Sequence, residues 1–272
     1  MTETINREQI KKYWDERADQ NTTSPTATTN DVYLRELEIS TIIENIKKLN
    51  LPPGSEIIDI GCGDGYSTIK VALSFPEISF TGIDYSENMI KNAVKNIESQ
   101  TQSTVSNLKF SVGDVTNLKS VFAEKKFDIA ITDRCLINLD SLEIQADAIA
   151  GIANIIKPQG YYIAIENFIE GQNNMNQARK NMGLPEIPVR WHNLFFSEPD
   201  FINIAGNYFS DIQFIDFSSS YYFATRIIYS AMCKLNGQEP DYTHDIHKIA
   251  VCLPQTGLFS PIRMVIMRRK DN

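Results

Sequence analysis

The segment Ile57-Ile58-Asp59-Ile60-Gly61-Cys62-Gly63-Asp64-Gly65-Tyr66 sets glycines at alternate positions directly after an apolar run. Glycines in that place let a backbone turn sharply and come close to a ligand. A helix that opens there offers free N–H groups to an electron-rich partner. The dinucleotide pattern needs a further glycine where Tyr66 stands, which disfavours a pyrophosphate ligand. An uncharged thioether or a sulfonium chain makes no such demand on the helix start. Asp84 follows the apolar run 79–83, where a carboxylate can accept both hydroxyls of a ribose. Asp114 follows Leu108–Val112, where a carboxylate can accept a hydrogen bond from an adenine amino group.

A second set of residues has the chemistry for proton transfer and substrate recognition. Trp191-His192-Asn193 stands shortly before a helix start at Ser197-Glu198-Pro199-Asp200. Histidine titrates near neutrality, so His192 is the first candidate for a base that takes a proton from an O–H nucleophile. The alternative is a hydrogen-bonded histidine at the rim with no chemical role. Glu166 ends the run 161–166, at the edge where ligands bind in open α/β sheets. It can orient a hydroxyl or amine or accept its proton; otherwise it is a carboxylate paired with Arg134 or Arg179. Arg134 has the planar fork that grips a carboxylate or phosphate, or it pairs with Asp133 or Glu166. The catalytic candidates are therefore His192, Glu166 and Arg134. Asn176 and Arg179 share a helix face and can read substrate hydroxyls or simply face solvent. With Asn193 and Tyr221 they form the substrate-binding set. His244 and His247 have helical metal-ligand spacing beside Asp241 and Asp245, but no third strong ligand is placed. They read as surface histidines, and no metal is expected.

These residues must be carried by an alternation of strands and helices. Apolar runs at Glu56–Ile60, 79–83, Leu108–Val112, 127–132, 161–166, 211–217 and 262–268 read as strands. Helices are expected over 7–19, 34–49, 67–74, 87–99 and 142–156, the last ended by Lys157-Pro158-Gln159-Gly160. Helical pieces near 174–182 and 223–235 fall within two long connections, which suits functional insertions. Tyr221, Tyr222, Tyr229 and Tyr242 make the second insertion aromatic, fit either for core packing or for a wall over an organic substrate. Residues 20–30 carry five threonines with Ser24 and Pro25, and read as a mobile loop that orders as a gate on ligand binding.

In this arrangement the sequence resembles the class I S-adenosylmethionine-dependent methyltransferases, and their small-molecule branch in particular. Asp59-Ile60-Gly61-Cys62-Gly63-Asp64-Gly65 matches the family's first motif, Asp84 its ribose-binding acid and Gly113-Asp114-Val115 its adenine-contacting motif. Phe127-Asp128-Ile129-Ala130-Ile131-Thr132-Asp133 matches the fourth strand, and Ile156-Lys157-Pro158-Gln159-Gly160 the turn before the fifth. The resemblance implies a doubly wound, mostly parallel seven-stranded α/β sheet of Rossmann-like methyltransferase type, with the last strand antiparallel and helical insertions over the active site. It implies S-adenosylmethionine as cofactor, with contacts from Asp59, Gly61, Gly63, Asp84, Tyr85 and Met89. Gly113, Asp114, Val115 and Asp133 extend that set, with Asp133 beside the methionine end. The head Tyr13-Trp14-Asp15-Glu16-Arg17 resembles the short helix that closes over the cofactor, with Tyr13 in contact. The alternative there is a hydrophobic staple of Tyr13 and Trp14 onto the sheet. No catalytic tetrapeptide of the base-methylating kind follows the fourth strand.

Composition narrows the partners. The chain has 272 residues and a net charge of −8, so it is long enough for a substantial core and lacks the basic balance of most nucleic-acid binders. No run of apolar residues is long enough for a membrane span, and the polar head lacks a signal-peptide core. Cys62, Cys135, Cys233 and Cys252 form no CxxC pair and read as reduced thiols of a cytoplasmic protein. The expectation is a single domain over 1–272: a helical lid at 1–50, a cofactor core at 51–166 and substrate-side insertions at 167–200 and 218–260. Its partner is a small polar metabolite or sugar-type molecule methylated on oxygen or nitrogen, with no nucleic acid or membrane, in a chain that can form a homodimer. An RNA or protein acceptor, or a silent adenosyl-binding fold, is the alternative.

Overall fold

The computed structural model describes residues 6–21, 28–99 and 105–271. Seven strands form one sheet in the order β3-β2-β1-β4-β5-β7-β6. They are β1 (Glu56–Ile60), β2 (Ser79–Asp84), β3 (Leu108–Val112), β4 (Phe127–Asp133), β5 (Ile156–Asn167), β6 (Phe209–Ile215) and β7 (Ile262–Arg269). β1 to β5 pair in parallel, while β7 runs antiparallel to both β5 and β6. The expected α/β sheet and its antiparallel last strand are both present.

Strand burial explains the apolar runs. Ile129 and Ile131 of β4 and Ile163 and Ile165 of β5 point to one face, where they meet Ile39, Ile42 and Ile46 of α2 (Val32–Leu49). Ala130, Tyr162 and Ala164 point to the other, against Ala148, Ile149 and Ile152 of α6 (Leu142–Ile155). Side chains alternate across a strand, so a strand buried on both faces is apolar throughout. Helix starts are set by local chemistry. Asp31 accepts the Leu34 N–H at 3.1 Å to cap α2, and Ser141 accepts the Ile144 N–H at 3.2 Å to cap α6.

The remaining helices flank or top this sheet. α1 (Arg7–Asn21) packs on α4 (Glu87–Ser99), where Asn92 Nδ2 donates to the Ala18 carbonyl at 2.9 Å. α3 (Tyr66–Leu73) follows the glycine loop, and α5 (Leu118–Phe122) precedes β4. α7 (Ile169–Asn181) and α8 (Glu198–Ala205) fill the connection between β5 and β6. The connection between β6 and β7 holds α9 (Ser219–Tyr222), a π-helical turn at Phe223–Ile228, α10 (Tyr229–Leu235) and α11 (Asp245–Ala250).

Two expectations shift. β5 begins at Ile156 rather than at 161, because Lys157-Pro158-Gln159-Gly160 continues the strand through an irregularity with Gln159 at φ 64°. β6 begins at Phe209, and a bulge with Asp211 at φ 53° lets its register with β7 slip. The expected threonine-rich gate falls largely on residues 22–27, which lie outside the described residues.

Candidate active site

The glycine loop ties the C-terminal ends of β1 and β2 together. The N–H groups of Gly61 and Cys62 both donate to the Ile83 carbonyl, at 2.8 and 3.0 Å. Gly61 has φ +77°, and a Cβ there would lie 2.6 Å from Cys135 Sγ, so the close approach of the β4 exit demands glycine. Beyond the loop, the start of α3 is not bare. Arg35 of α2 donates to Asp64 at 2.7 Å and to Ser67 at 3.3 Å, and its guanidinium lies 4.4 Å over the Tyr66 ring. Arg35 thus covers the helix start that a pyrophosphate would occupy, in line with the missing third glycine.

The strand-end aspartates divide into two groups. Asp84 accepts the Gly63 N–H at 3.0 Å and the Ser86 N–H at 2.9 Å. Burial pushes its carboxyl up to about 6, against the pull of those two donors. Asp59 accepts the Thr68 hydroxyl, and burial pushes it up to about 7. Both line a cavity of about 280 Å³, together with Gly61, Gly63, Tyr85, Met89 and Asp133. Gly113, Asp114 and Val115 do not line it. The Asp114 carboxylate is turned to Arg7 of α1 through Oδ2 and to the Thr116 N–H and hydroxyl through Oδ1, both at 2.9 Å, and stays partly exposed.

Arg134 leaves β4 at φ 53° and lines the same cavity beside Asp133. It donates to Glu38 at 3.1 Å and stands 3.6 Å from Asp133, a distance of charge contact rather than hydrogen bonding. Among the described residues, nothing hydrogen-bonds to the buried Arg134 Nε or Asp133 Oδ1. Glu38 is fully buried, and burial raises its carboxyl far above the usual range despite Arg134. The anticipated partner of Arg134 at Glu166 is absent from these contacts. Glu166 instead accepts the N–H groups of Leu136 and Ile137, at 3.0 and 3.3 Å. It lies behind the cavity wall, where burial pushes it up to about 7. There it holds the turn Leu136–Asn138 against β5, which is a positioning role.

His192 and Asn193 line the opposite wall of the cavity. Tyr13 stacks on the His192 ring at 4.5 Å, and Trp14 and Trp191 meet it edge-on at 5.8 and 5.2 Å. Tyr13 therefore backs the histidine and does not line the cavity, whereas Trp14 does, anchored to Asn138 at 3.2 Å. Burial, then Arg190 and Arg17, press the imidazolium pKa down to about 4, so the ring is neutral at neutral pH. Among the described residues, nothing hydrogen-bonds to the buried His192 Nδ1.

Three expected substrate residues do structural work instead. Asn176 exchanges hydrogen bonds with the Ile187 N–H and carbonyl, at 2.9 and 3.1 Å. Arg179 donates to the Pro185 carbonyl at 2.8 Å and to the Arg226 carbonyl. Together they fold the segment after α7 onto that helix, and Gln172 and Met175, one turn away, face the cavity. Tyr221 is fully buried and donates to Asp31 at 2.6 Å, while its neighbour Tyr222 reaches the cavity.

Several lining residues carry no local signal in the sequence. Arg226 pairs with Asp31 across 195 residues, and its guanidinium lies 4.8 Å over the Tyr242 ring. Asn167, directly after Glu166, also lines the wall. His247 Nδ1 meets the Tyr221 hydroxyl at 2.8 Å, and His244 Nδ1 accepts the Ile246 N–H at 3.1 Å to cap α11. His247 is thus a core histidine, not a surface one. Among the described residues no group of three metal-binding side chains is assembled. Among them also, no helix is long and apolar enough to cross a membrane.

Residues 51–191 match the model of a family described as a methyltransferase domain. A demethylmenaquinone methyltransferase of Desulfitobacterium hafniense is 30% identical over 122 residues, covering 44% of this chain and 46% of that protein. The O-methyltransferase rstn1 of Aspergillus nomiae is 28% identical over 153 residues, covering 56% and 60%. The chain thus spans about half the length of the curated relatives it matches. Magnesium protoporphyrin IX methyltransferase of Synechocystis, crystallised with bound SAH, superposes with a TM-score of 0.62 at 15% identity. That superposition covers 97% of this chain and 100% of the other, and shows the shared fold.

Proposed function

The chain belongs to the methyltransferase domain family, and from that premise we propose that it binds S-adenosylmethionine and methylates a hydroxyl oxygen of a small polar molecule. The reading is carried by one observation: a neutral, buried histidine shares a cavity with a glycine loop and the strand-end carboxylate Asp84. The residues fit the cofactor. Asp84 suits the ribose hydroxyls, and Gly61 and Gly63 line the cavity with positive φ, a backbone shape that brings the loop close to a ligand. Asp133 Oδ1 and Arg134 Nε, 3.6 Å apart and without a hydrogen bond among the described residues, suit an ammonium and a carboxylate at the amino-acid end. Asp59, Asp84 and Asp133 also give this half of the cavity an acidic lining that favours a sulfonium cation.

When bound, the cofactor supplies a methyl carbon on a positively charged sulfur with a neutral thioether as leaving group. The protein then has to align the acceptor, exclude water and receive one proton. Trp14, held to Asn138 and edge-on to His192, lines the cavity with Tyr222 and Tyr242, and these rings can exclude water. His192 is uncharged and so can accept the hydroxyl proton. Its depressed basicity is no obstacle, because a hydroxyl oxygen that gains a third bond, to the methyl carbon, becomes a strongly acidic protonated ether as the sulfur–carbon bond breaks. Transfer late along the reaction therefore suffices. A nitrogen acceptor would need no base, and the presence of this histidine favours oxygen.

The test is incubation with S-adenosylmethionine carrying an isotopic methyl group and a cell extract, followed by separation of small molecules from macromolecules. Label in a small hydroxylated compound is the expected outcome. Label in RNA or protein would move the acceptor to a macromolecule. Cofactor binding without transfer would make the cavity a binding site alone.

A further inference from the structure

Buried asparagines in this protein are otherwise hydrogen-bonded through their side chains. Asn45 donates to the Thr41 carbonyl at 2.9 Å, Asn92 to Ala18 at 2.9 Å and Asn96 to Asp64 at 2.8 Å. Asn167 differs. It is 7% exposed, its Oδ1 is buried, and among the described residues nothing hydrogen-bonds to its carboxamide. An unpaired buried amide is costly, and native structures rarely leave one without a purpose.

The backbone of Asn167 is rigidly held. It ends β5 opposite Ile262 of β7, and its carbonyl accepts the Phe196 N–H at 3.0 Å. The side chain lines the cavity on the substrate side, near Gln172 and Ile262. Gln172 is engaged with the Ile187 carbonyl, so it does not serve the amide. Of the cations in this half, Arg226 is paired with Asp31, and Arg190 also lines the wall beside His192. What remains unanswered is one carboxamide, which is both a donor and an acceptor.

We propose that Asn167 is a specificity-determining residue that hydrogen-bonds a second, non-reacting hydroxyl of the acceptor, so that the substrate is a molecule with at least two hydroxyl groups. This rests on the methyl-transfer reading above and names the substrate class for the same site. A hydroxyl donates and accepts at once and so answers both ends of a carboxamide, from either orientation of the amide. Held there by a strand end, the molecule presents its other hydroxyl to His192.

The experiment uses the full chain and the compound that receives isotopic methyl from the extract, purified, with its derivative lacking the non-reacting hydroxyl. Asn167→Leu keeps the side-chain size and removes both hydrogen bonds. It is expected to raise KM for the purified acceptor by about tenfold or more, with kcat changed far less. The deoxy derivative should lose the same factor with wild-type protein and nothing further with Asn167→Leu. Asn167→Asp, which keeps an acceptor oxygen, should recover part of the loss. Cofactor affinity by calorimetry reports folding and should not move in either variant. An acceptor with a single hydroxyl overturns the proposal, and so does an unchanged KM in an Asn167→Leu protein that still binds cofactor. Wild-type protein that binds cofactor and transfers no methyl to any small molecule overturns the methyl-transfer reading itself, and this inference with it.

Discussion

The two halves of the cavity are built differently. On the β1–β2 side the backbone does the shaping: Gly61 and Cys62 both donate to the Ile83 carbonyl, and Asp84 is fixed by the N–H groups of Gly63 and Ser86. On the insertion side, side chains do the shaping, across long chain distances. Asp31, Tyr221, Arg226 and His247 make one buried polar cluster that joins α2 to the connection between β6 and β7. A wall built from backbone can bind one invariant ligand in many proteins, whereas a wall built from side chains can be rewritten for a new acceptor without disturbing the first. The contrast separates cofactor binding from substrate choice, and it can be broken by experiment.

The largest effect is expected at the substrate wall. His192→Ala should lower kcat by about a hundredfold or more while cofactor affinity stays within about twofold. Single-turnover transfer and calorimetry measure the two quantities, and a joint loss would mean that the halves are not separable. Asp84→Ala should do the reverse, weakening cofactor binding by about tenfold or more, since a charged acceptor to two ribose hydroxyls is lost. Unchanged affinity would remove Asp84 from the ribose site.

A smaller, distributed effect concerns pH. Burial raises Asp59 and Glu166 to about 7, and raises Glu38 as well. The folded protein therefore keeps protons that the unfolded chain gives up in the ordinary carboxylate range. Where the folded state binds more protons, stability falls as pH rises. The contribution of these groups is complete below the unfolded values and is lost as pH climbs through about 7. Thermal unfolding should show a higher midpoint at about pH 6 than at about pH 8, and Glu38→Gln should flatten that slope. A midpoint that climbs steadily over this interval would contradict it.

The difference between the halves also decides what the sequence reveals. Gly61, Gly63, Asp59 and Asp84 are legible because the backbone places them: a residue at a strand end goes where the strand goes. Asp114 looked equivalent by the same logic, yet Arg7, a distant residue, and Thr116 claim its carboxylate. Glu166 was placed correctly at the sheet edge, but the turn Leu136–Asn138 supplies two N–H donors that no spacing rule foretells. On α7 the sequence picks the helix and its inward face, but Asn176 and Arg179 are used to fold back the chain beyond Leu184, and the residues one turn earlier, Gln172 and Met175, line the cavity. Arg226 and Asn167 escape notice because the first depends on a partner 195 residues away and the second on having none.

The position of β7 bears on how the chain is made. β7 follows the other six strands along the chain, yet it lies between β5 and β6 and hydrogen-bonds to both. While residues 262–269 are still inside the ribosome, the five parallel strands can already have assembled around the cofactor floor. β5, a strand of twelve residues, then presents a bare edge to the cell. Such an edge is a template for pairing with other chains, and closing it depends on contacts distant in sequence, which form slowly. Until β7 is in place, the sheet stays open on the side that β7 closes, between β5 and β6.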